Sequence, residues 1–250
     1  MPGEVAARDP LADRLSKLDG GRVLDVATGS GSFIGYLAES FKTYESFTGI
    51  DNREEPLEAA RKAFAGEPLS AIRRASFQRA DAVDLPFPDC SFDTVAIANS
   101  LHHLSEVDLA LVEVLRALKP GGLCVVREMH RDNPTPPQLT HVLMHDWWGE
   151  VNTRQGQFHR PSFTRAEIQG ILGRLALPGM EVLDLPGDKR DPKDKKTLDF
   201  LCERNLELAE SMKEEEDYGD FKTKALELNR RAREYGFLPA DAVGALGRKP

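Results

Sequence analysis

Residues 23–33 read Val-Leu-Asp-Val-Ala-Thr-Gly-Ser-Gly-Ser-Phe, and Gly49-Ile50-Asp51 follows a short way downstream. An apolar strand runs into an acid, then a glycine-rich turn, then a helix. A second strand then ends on another acid. Parallel strands need a crossover between them, usually a helix, so this order points to a βαβ unit. Glycines at the turn let backbone amides approach a ligand where a Cβ would block it. An acid after the second strand lies where ribose hydroxyls are bound in doubly wound α/β proteins, and Asp51 fills that place. The segment therefore predicts a pocket for an adenosine-type cofactor.

Spacing narrows the cofactor. Dinucleotide-binding turns carry G-x-G-x-x-G, with the pyrophosphate at the helix N-terminus. Here Gly29 and Gly31 are present, Ile34 takes the third place, and Gly35 comes one residue late. Asp25 would face two phosphates with like charge, whereas a cationic ammonium or sulfonium suits it. The residues favour S-adenosylmethionine over NAD, and an NAD-dependent oxidoreductase is disfavoured by the missing glycine.

Beyond this turn the chain resembles the class I S-adenosylmethionine-dependent methyltransferases, of the type 11 kind. The resemblance covers roughly residues 20–128 and rests on motifs in the family's order. Leu24-Asp25-Val26-Ala27-Thr28-Gly29-Ser30-Gly31 is similar to the opening motif, with Ala27 where many members have glycine. Asp51 and Ala80-Asp81-Ala82 match the second and third. Phe92-Asp93-Thr94-Val95 with Ala98-Asn99-Ser100-Leu101-His102-His103-Leu104 matches the fourth strand and its loop. Leu115-Arg116-Ala117-Leu118-Lys119-Pro120-Gly121-Gly122-Leu123 matches the approach to the fifth. The resemblance implies a mostly parallel seven-stranded sheet, order 3-2-1-4-5-7-6, with the last strand antiparallel. It implies that Asp25 orients the methionine ammonium and that Ala27, Gly29 and Gly31 bring backbone close. Asp51, with Asn52 beside it, would bind ribose; Asp81 and Ala82 the adenine; Asn99 the methionine end.

Composition fits a single domain over residues 1–250. The chain is 40% hydrophobic and 30% charged, the profile of a globular protein able to bury a sizeable core. A net charge of −8 weighs against broad nucleic-acid binding, and Arg73-Arg74 with Arg79 reads as a solvated surface. No apolar run approaches the roughly 18 residues of a membrane span. Met1-Pro2-Gly3-Glu4-Val5 predicts no signal peptide, and three scattered cysteines suit a reducing, cytoplasmic setting.

Along the chain, residues 1–20 should hold an N-terminal helix over 5–18, and 20–128 the cofactor-binding core. Leu109, Val112, Leu115 and Leu118 share a face of a helix over 106–118. Pro120-Gly121-Gly122 should end that helix before a fifth strand over 123–127. The segment 66–75 has room for an extra helical turn. Residues 129–178 form a cap expected to hold the methyl acceptor. Residues 179–250 carry the last two strands around a helical insertion at about 188–235, read as two helices broken near Gly219.

All six histidines lie between positions 102 and 159. Histidine is the usual physiological general base, which makes His102, His103, His145 and His159 candidate proton acceptors. His141 and His145 share a helical face at i and i+4, a workable metal spacing with His159 as a third donor. That spacing equally suits a surface or substrate pocket, and no metal ligand is assigned. Trp147, Trp148 and His141 are candidate acceptor contacts, since indoles stack on planar groups and attract cations; helix packing is the alternative for the tryptophans. The expected activity is methyl transfer to an O, N, C or S nucleophile of a small molecule. The alternatives are a non-catalytic cofactor-binding partner subunit and, less favoured, a protein or RNA acceptor.

Overall fold

The structure is a computed structural model describing residues 9–66, 69, 72, 74–187 and 190–250. In chain order, α1 (Pro10–Leu15) leads to β1 (Arg22–Val26), α2 (Ser32–Ser40), β2 (Ser46–Asp51), α3 (Glu54–Ala65) and β3 (Ala75–Arg79). Then come β4 (Phe92–Ala98), α4 (Val107–Ala117), β5 (Leu118–Met129), α5 (Pro136–Arg154) and α6 (Arg165–Arg174). β6 (Glu181–Leu185), α7 (Lys195–Glu210), α8 (Tyr218–Tyr235) and β7 (Ala242–Arg248) complete it. Part of the helix expected over 5–18, and part of segment 66–75, lies outside the described residues.

The chain divides into two units. The first comprises the residues up to Glu128 with Gln169–Leu185 and Val243–Pro250; the second comprises Met129–Ile168 and Pro186–Ala242. In the first, the sheet has the order β3-β2-β1-β4-β5-β7-β6 implied by the resemblance. β1 pairs in parallel with both β2 and β4, so it is central and flanked on each side. Both faces of such a strand are covered, which is why Val23, Leu24 and Val26 form a continuous apolar run rather than an alternating one. Gly121 N–H donates to Lys249 O and Lys249 N–H to Gly122 O, two residues against one as in a bulge of an antiparallel pair.

Two details depart from the sequence reading. β5 begins at Leu118: Phe92 pairs with Leu118 and Thr94 with Leu123, so Lys119-Pro120-Gly121-Gly122 is a bulge within the strand. In α4 the buried stripe is Val107, Ala110, Leu111, Val114 and Ala117, while Leu109 and Val112 are exposed. Both stripes have helical spacing. The buried one carries two alanines, whose small side chains let a helix lie close to a sheet.

The second unit is organised by α5, α7 and α8. Met144, Trp147 and Val151 of α5 pack with Leu198 and Leu201 of α7 and with Phe221, Ala225 and Leu228 of α8. The break between α7 and α8 falls over 211–217, ahead of Gly219, where Glu214-Glu215-Glu216-Asp217 stands. Four adjacent acids disfavour the end of one helix, whose C-terminus is negative, and favour the start of the next. Among the described residues no helix is long and apolar enough to cross a membrane.

The position of the α4 stripe is testable. Leu111→Ala should cost about 2–5 kcal/mol in urea unfolding, as for a buried leucine. Val112→Ala should change stability by no more than about 0.5 kcal/mol. The reverse order would restore the leucine–valine face.

Candidate cofactor site

In parallel strands the C-terminal ends share one edge, and there open α/β sheets bind ligands. Asp25–Gly31, Asp51–Arg53, Asp81–Ala82 and Asn99–Ser100 all follow, or close, the C-terminal ends of β1, β2, β3 and β4.

Asp25 is 1% exposed. Its carboxyl is pushed up to about 7, chiefly by burial and also by the negative charge of Asp51, against an opposing hydrogen bond from Thr28. That bond, from Thr28 Oγ to Asp25 Oδ2, is 2.6 Å long. Among the described residues no cation offsets this carboxyl, so its ionised form is electrostatically costly.

The turn that follows is built on left-handed backbone. Ala27, Gly29 and Gly31 have φ of +55°, +53° and +80°. Ala27 thus bears a Cβ in a conformation that favours glycine. The two glycines serve different ends. A Cβ on Gly31 would meet Phe64 at 2.8 Å, so Gly31 is required by packing. A Cβ on Gly29 meets nothing within 4 Å, so only backbone conformation requires that glycine, and its face is open.

Asp51 ties this turn to the end of β2. Its Oδ2 accepts from Gly29 N–H and its Oδ1 from Arg53 N–H, both at 3.0 Å. Each carboxylate oxygen has a second lone pair, which suits a pair of vicinal hydroxyls. Asn52 contributes its carbonyl to Arg79 Nε at 2.9 Å, and its side chain is exposed. Asp81 Oδ1 accepts from Val83 N–H at 3.2 Å, and Ala82 is buried beside it. Asn99 is exposed with φ +46°, a left-handed position that asparagine tolerates better than most residues.

After Asn99 the chain makes a 3₁₀ turn over Leu101–His103. His102 is buried and His103 exposed, with ring centroids 4.3 Å apart. His102 Nδ1 lies 2.7 Å from Glu128 Oε1. Neither Glu128 nor Thr28 was singled out by the sequence, because neither stands in a motif whose chemistry names it.

The remaining candidates belong to the second unit. His141 Nδ1 accepts from Ala240 N–H at 2.8 Å, which places the proton of a neutral ring on Nε2. His145 Nδ1 is 3.3 Å from Ser162 Oγ, whose own proton goes to Asp146 Oδ1 at 2.6 Å. A hydroxyl has a single proton, so His145 Nδ1–H is the donor. Hydrogen bonds from His145 and Ser162 hold the Asp146 carboxyl below the usual range although burial alone would raise it. His145 and His159 have ring centroids 4.9 Å apart.

Trp147 is 4% exposed and packs within the helical core, in line with the helix-packing alternative for this residue. Trp148 is partly buried: its indole N–H donates to Asn205 Oδ1 at 2.7 Å and Arg204 lies over its ring at 4.9 Å. Asn205 in turn donates to Asn229, and Asn229 to Cys202 O, closing a buried polar network.

Residues 24–126 match the family described as methyltransferase domain. The O-methyltransferase cnsE of Penicillium expansum is 30% identical over 173 residues, 69% of this chain and 57% of that protein. The ubiquinone/menaquinone biosynthesis C-methyltransferase UbiE of Geobacter sulfurreducens is 37% identical over 110 residues, 44% of this chain and 42% of that protein. Among solved structures, the [4+2]-cyclase SpnF superposes with a TM-score of 0.59 at 24% identity, covering 96% of this chain and 78% of the other. The chain spans about half the length of the curated relatives it matches.

Asp25 generates a signed pH prediction. Its carboxyl holds its proton more tightly folded than unfolded, so stability falls as pH rises from the ordinary aspartate value, about 4, through about 7. Asp25→Asn cannot ionise and should gain on the parent in urea midpoint above pH 7, yet show no such gain near pH 4. Ala27→Gly should stabilise by about 1 kcal/mol, the relief of a left-handed Cβ. Urea titrations of ligand-free protein across pH check both.

Proposed function

The chain belongs to the class I methyltransferases, and on that premise we propose that it transfers the methyl group of S-adenosylmethionine to a nucleophilic atom of a small molecule. The observation that carries this reading is the buried Asp25 carboxylate beside an open glycine turn, with Asp51 bridging the turn at the end of β2. A cationic, ribose-bearing ligand answers both acids at once. The bound cofactor supplies an electrophilic methyl on a sulfonium: the acceptor's lone pair forms the new bond to carbon as the carbon–sulfur pair returns to sulfur.

In this reading Asp25 orients the ammonium and Ala27, Gly29 and Gly31 bring backbone to the methionine moiety. Asp51, with Asn52, accepts from the ribose hydroxyls, Asp81 and Ala82 line the adenine, and Asn99 lies at the methionine end. The protein's work is alignment in a dry site. Where the acceptor starts protonated, the proton falls to one of His102, His103, His145 or His159, with Trp147, Trp148 and His141 as acceptor contacts. The net charge of −8 favours a small acceptor over nucleic acid. A second reading, cofactor binding without methyl transfer, is kept because a cyclase shares the fold, and fold does not fix reaction.

Calorimetric titration with S-adenosylmethionine, S-adenosylhomocysteine and NAD tests the proposal. Both adenosyl ligands should saturate, NAD should not bind, and Asp51→Ala should abolish the signal. Affinity for S-adenosylmethionine should rise from pH 6 to pH 8 as Asp25 ionises, and Asp25→Asn should flatten that rise. Binding of NAD alone, or of nothing, overturns the assignment. Binding without turnover across an acceptor screen favours the second reading.

A further inference from the structure

Glu128 closes β5 within the first unit, and its side chain is fully buried. A carboxylate there needs compensation, and the loop after β4 supplies it. Oε2 accepts from Ser100 N–H at 3.1 Å and from Leu101 N–H at 2.9 Å. Oε1 meets His102 Nδ1 at 2.7 Å. Three donors from consecutive residues therefore converge on one buried acid. A carboxylate that accepts two amide hydrogen bonds is held ionised, so the proton of the third contact resides on the imidazole.

The clamp reaches further than its own loop. The single proton of Ser100 Oγ is shared between Ala98 O at 2.8 Å and Ala27 O at 3.1 Å, so the hydroxyl links the end of β4 to the turn after β1 as a bifurcated donor. Asn99 N–H donates to Arg127 O at 2.7 Å, holding the left-handed residue just before the clamp. Ala27 and Asn99 are the two non-glycine, positive-φ residues among the proposed cofactor contacts. Strained backbone of this kind persists only where surroundings over-determine it.

We propose that Glu128 is the positioning residue of the methyl-donor site: its carboxylate fixes the β4 loop, through Ser100 the turn at Ala27, and the Nδ1–H form of His102. The inference rests on the cofactor reading above for its functional half, and on geometry alone for the histidine. Glutamine at 128 keeps size and shape but presents one acceptor and one donor. If its oxygen takes the two amides, its N–H₂ faces His102 Nδ1, and the ring must move its proton to Nε2.

The test is Glu128→Gln in the full chain, read by S-adenosylmethionine titration and by ¹⁵N shifts of the His102 ring. Expected are a tenfold or greater loss of affinity, roughly the loss of one charge-assisted hydrogen bond, and exchange of the protonated nitrogen from Nδ1 to Nε2. Ser100→Ala removes only the hydroxyl link and carries little folding risk; it should weaken binding roughly threefold with His102 unchanged. Parental affinity in both variants, or an unmoved His102 proton in Glu128→Gln, overturns the inference while leaving the cofactor reading intact. If Glu128→Gln does not fold, parental affinity in Ser100→Ala overturns it. A parent protein that binds no adenosyl ligand overturns the cofactor reading and with it the functional half, whereas the His102 exchange still decides the geometric half.

Discussion

A carboxyl group buried in the middle of the sheet, offset by no cation among the described residues, is the constraint around which the first unit is arranged. Asp25 sits on the strand flanked by β2 and β4, almost without solvent, and a second acid, Asp51, adds to its cost. The Thr28 hydroxyl relieves it in part. The turn that brings Thr28 back over the strand requires left-handed backbone at Ala27, Gly29 and Gly31, and the same turn delivers Gly29 N–H to Asp51. Burial, strain and like charge are thus concentrated at one sheet edge. Such strain persists only where the surrounding structure over-determines it.

That arrangement was legible from residues because each part has a local signature. An apolar run ending in Asp25, glycines at a fixed offset and a second acid at Asp51 can be read without knowing what packs on them. The seven-strand order followed from the resemblance and not from periodicity. The α4 stripe was misread because Leu109 and Val112 satisfy helical spacing as well as Leu111 and Val114 do. Spacing gives a face but not the space beneath it, and the small Ala110 and Ala117 decide which face approaches. Trp147 meets a different limit: an aromatic residue in an insertion carries no mark that separates a core side chain from a ligand contact.

Glu128 was illegible for a third reason. Its partners, Ser100, Leu101 and His102, are 26 to 28 residues away in sequence, and two of the three contacts are to backbone amides. Backbone donors have no residue identity, so no pattern of side chains announces them. The acid becomes meaningful only once β4 and β5 are paired in register, with Ala98 opposite Arg127. That pairing places the end of β5 beside the loop that leaves β4.

A common device then emerges inside each unit separately. Glu128 accepts from His102 Nδ1 in the first; in the second, Asp146 takes the proton of Ser162, whose oxygen accepts from His145 Nδ1. His102 meets its carboxylate directly, whereas His145 meets a hydroxyl and, at 3.5 Å, the carboxylate that the hydroxyl also serves. Both arrangements place the proton of a neutral ring on Nδ1. His141 has the opposite form, because the Ala240 amide occupies its Nδ1. Neighbours at i and i+4 on α5 therefore differ in which nitrogen is basic, a distinction their spacing could not disclose.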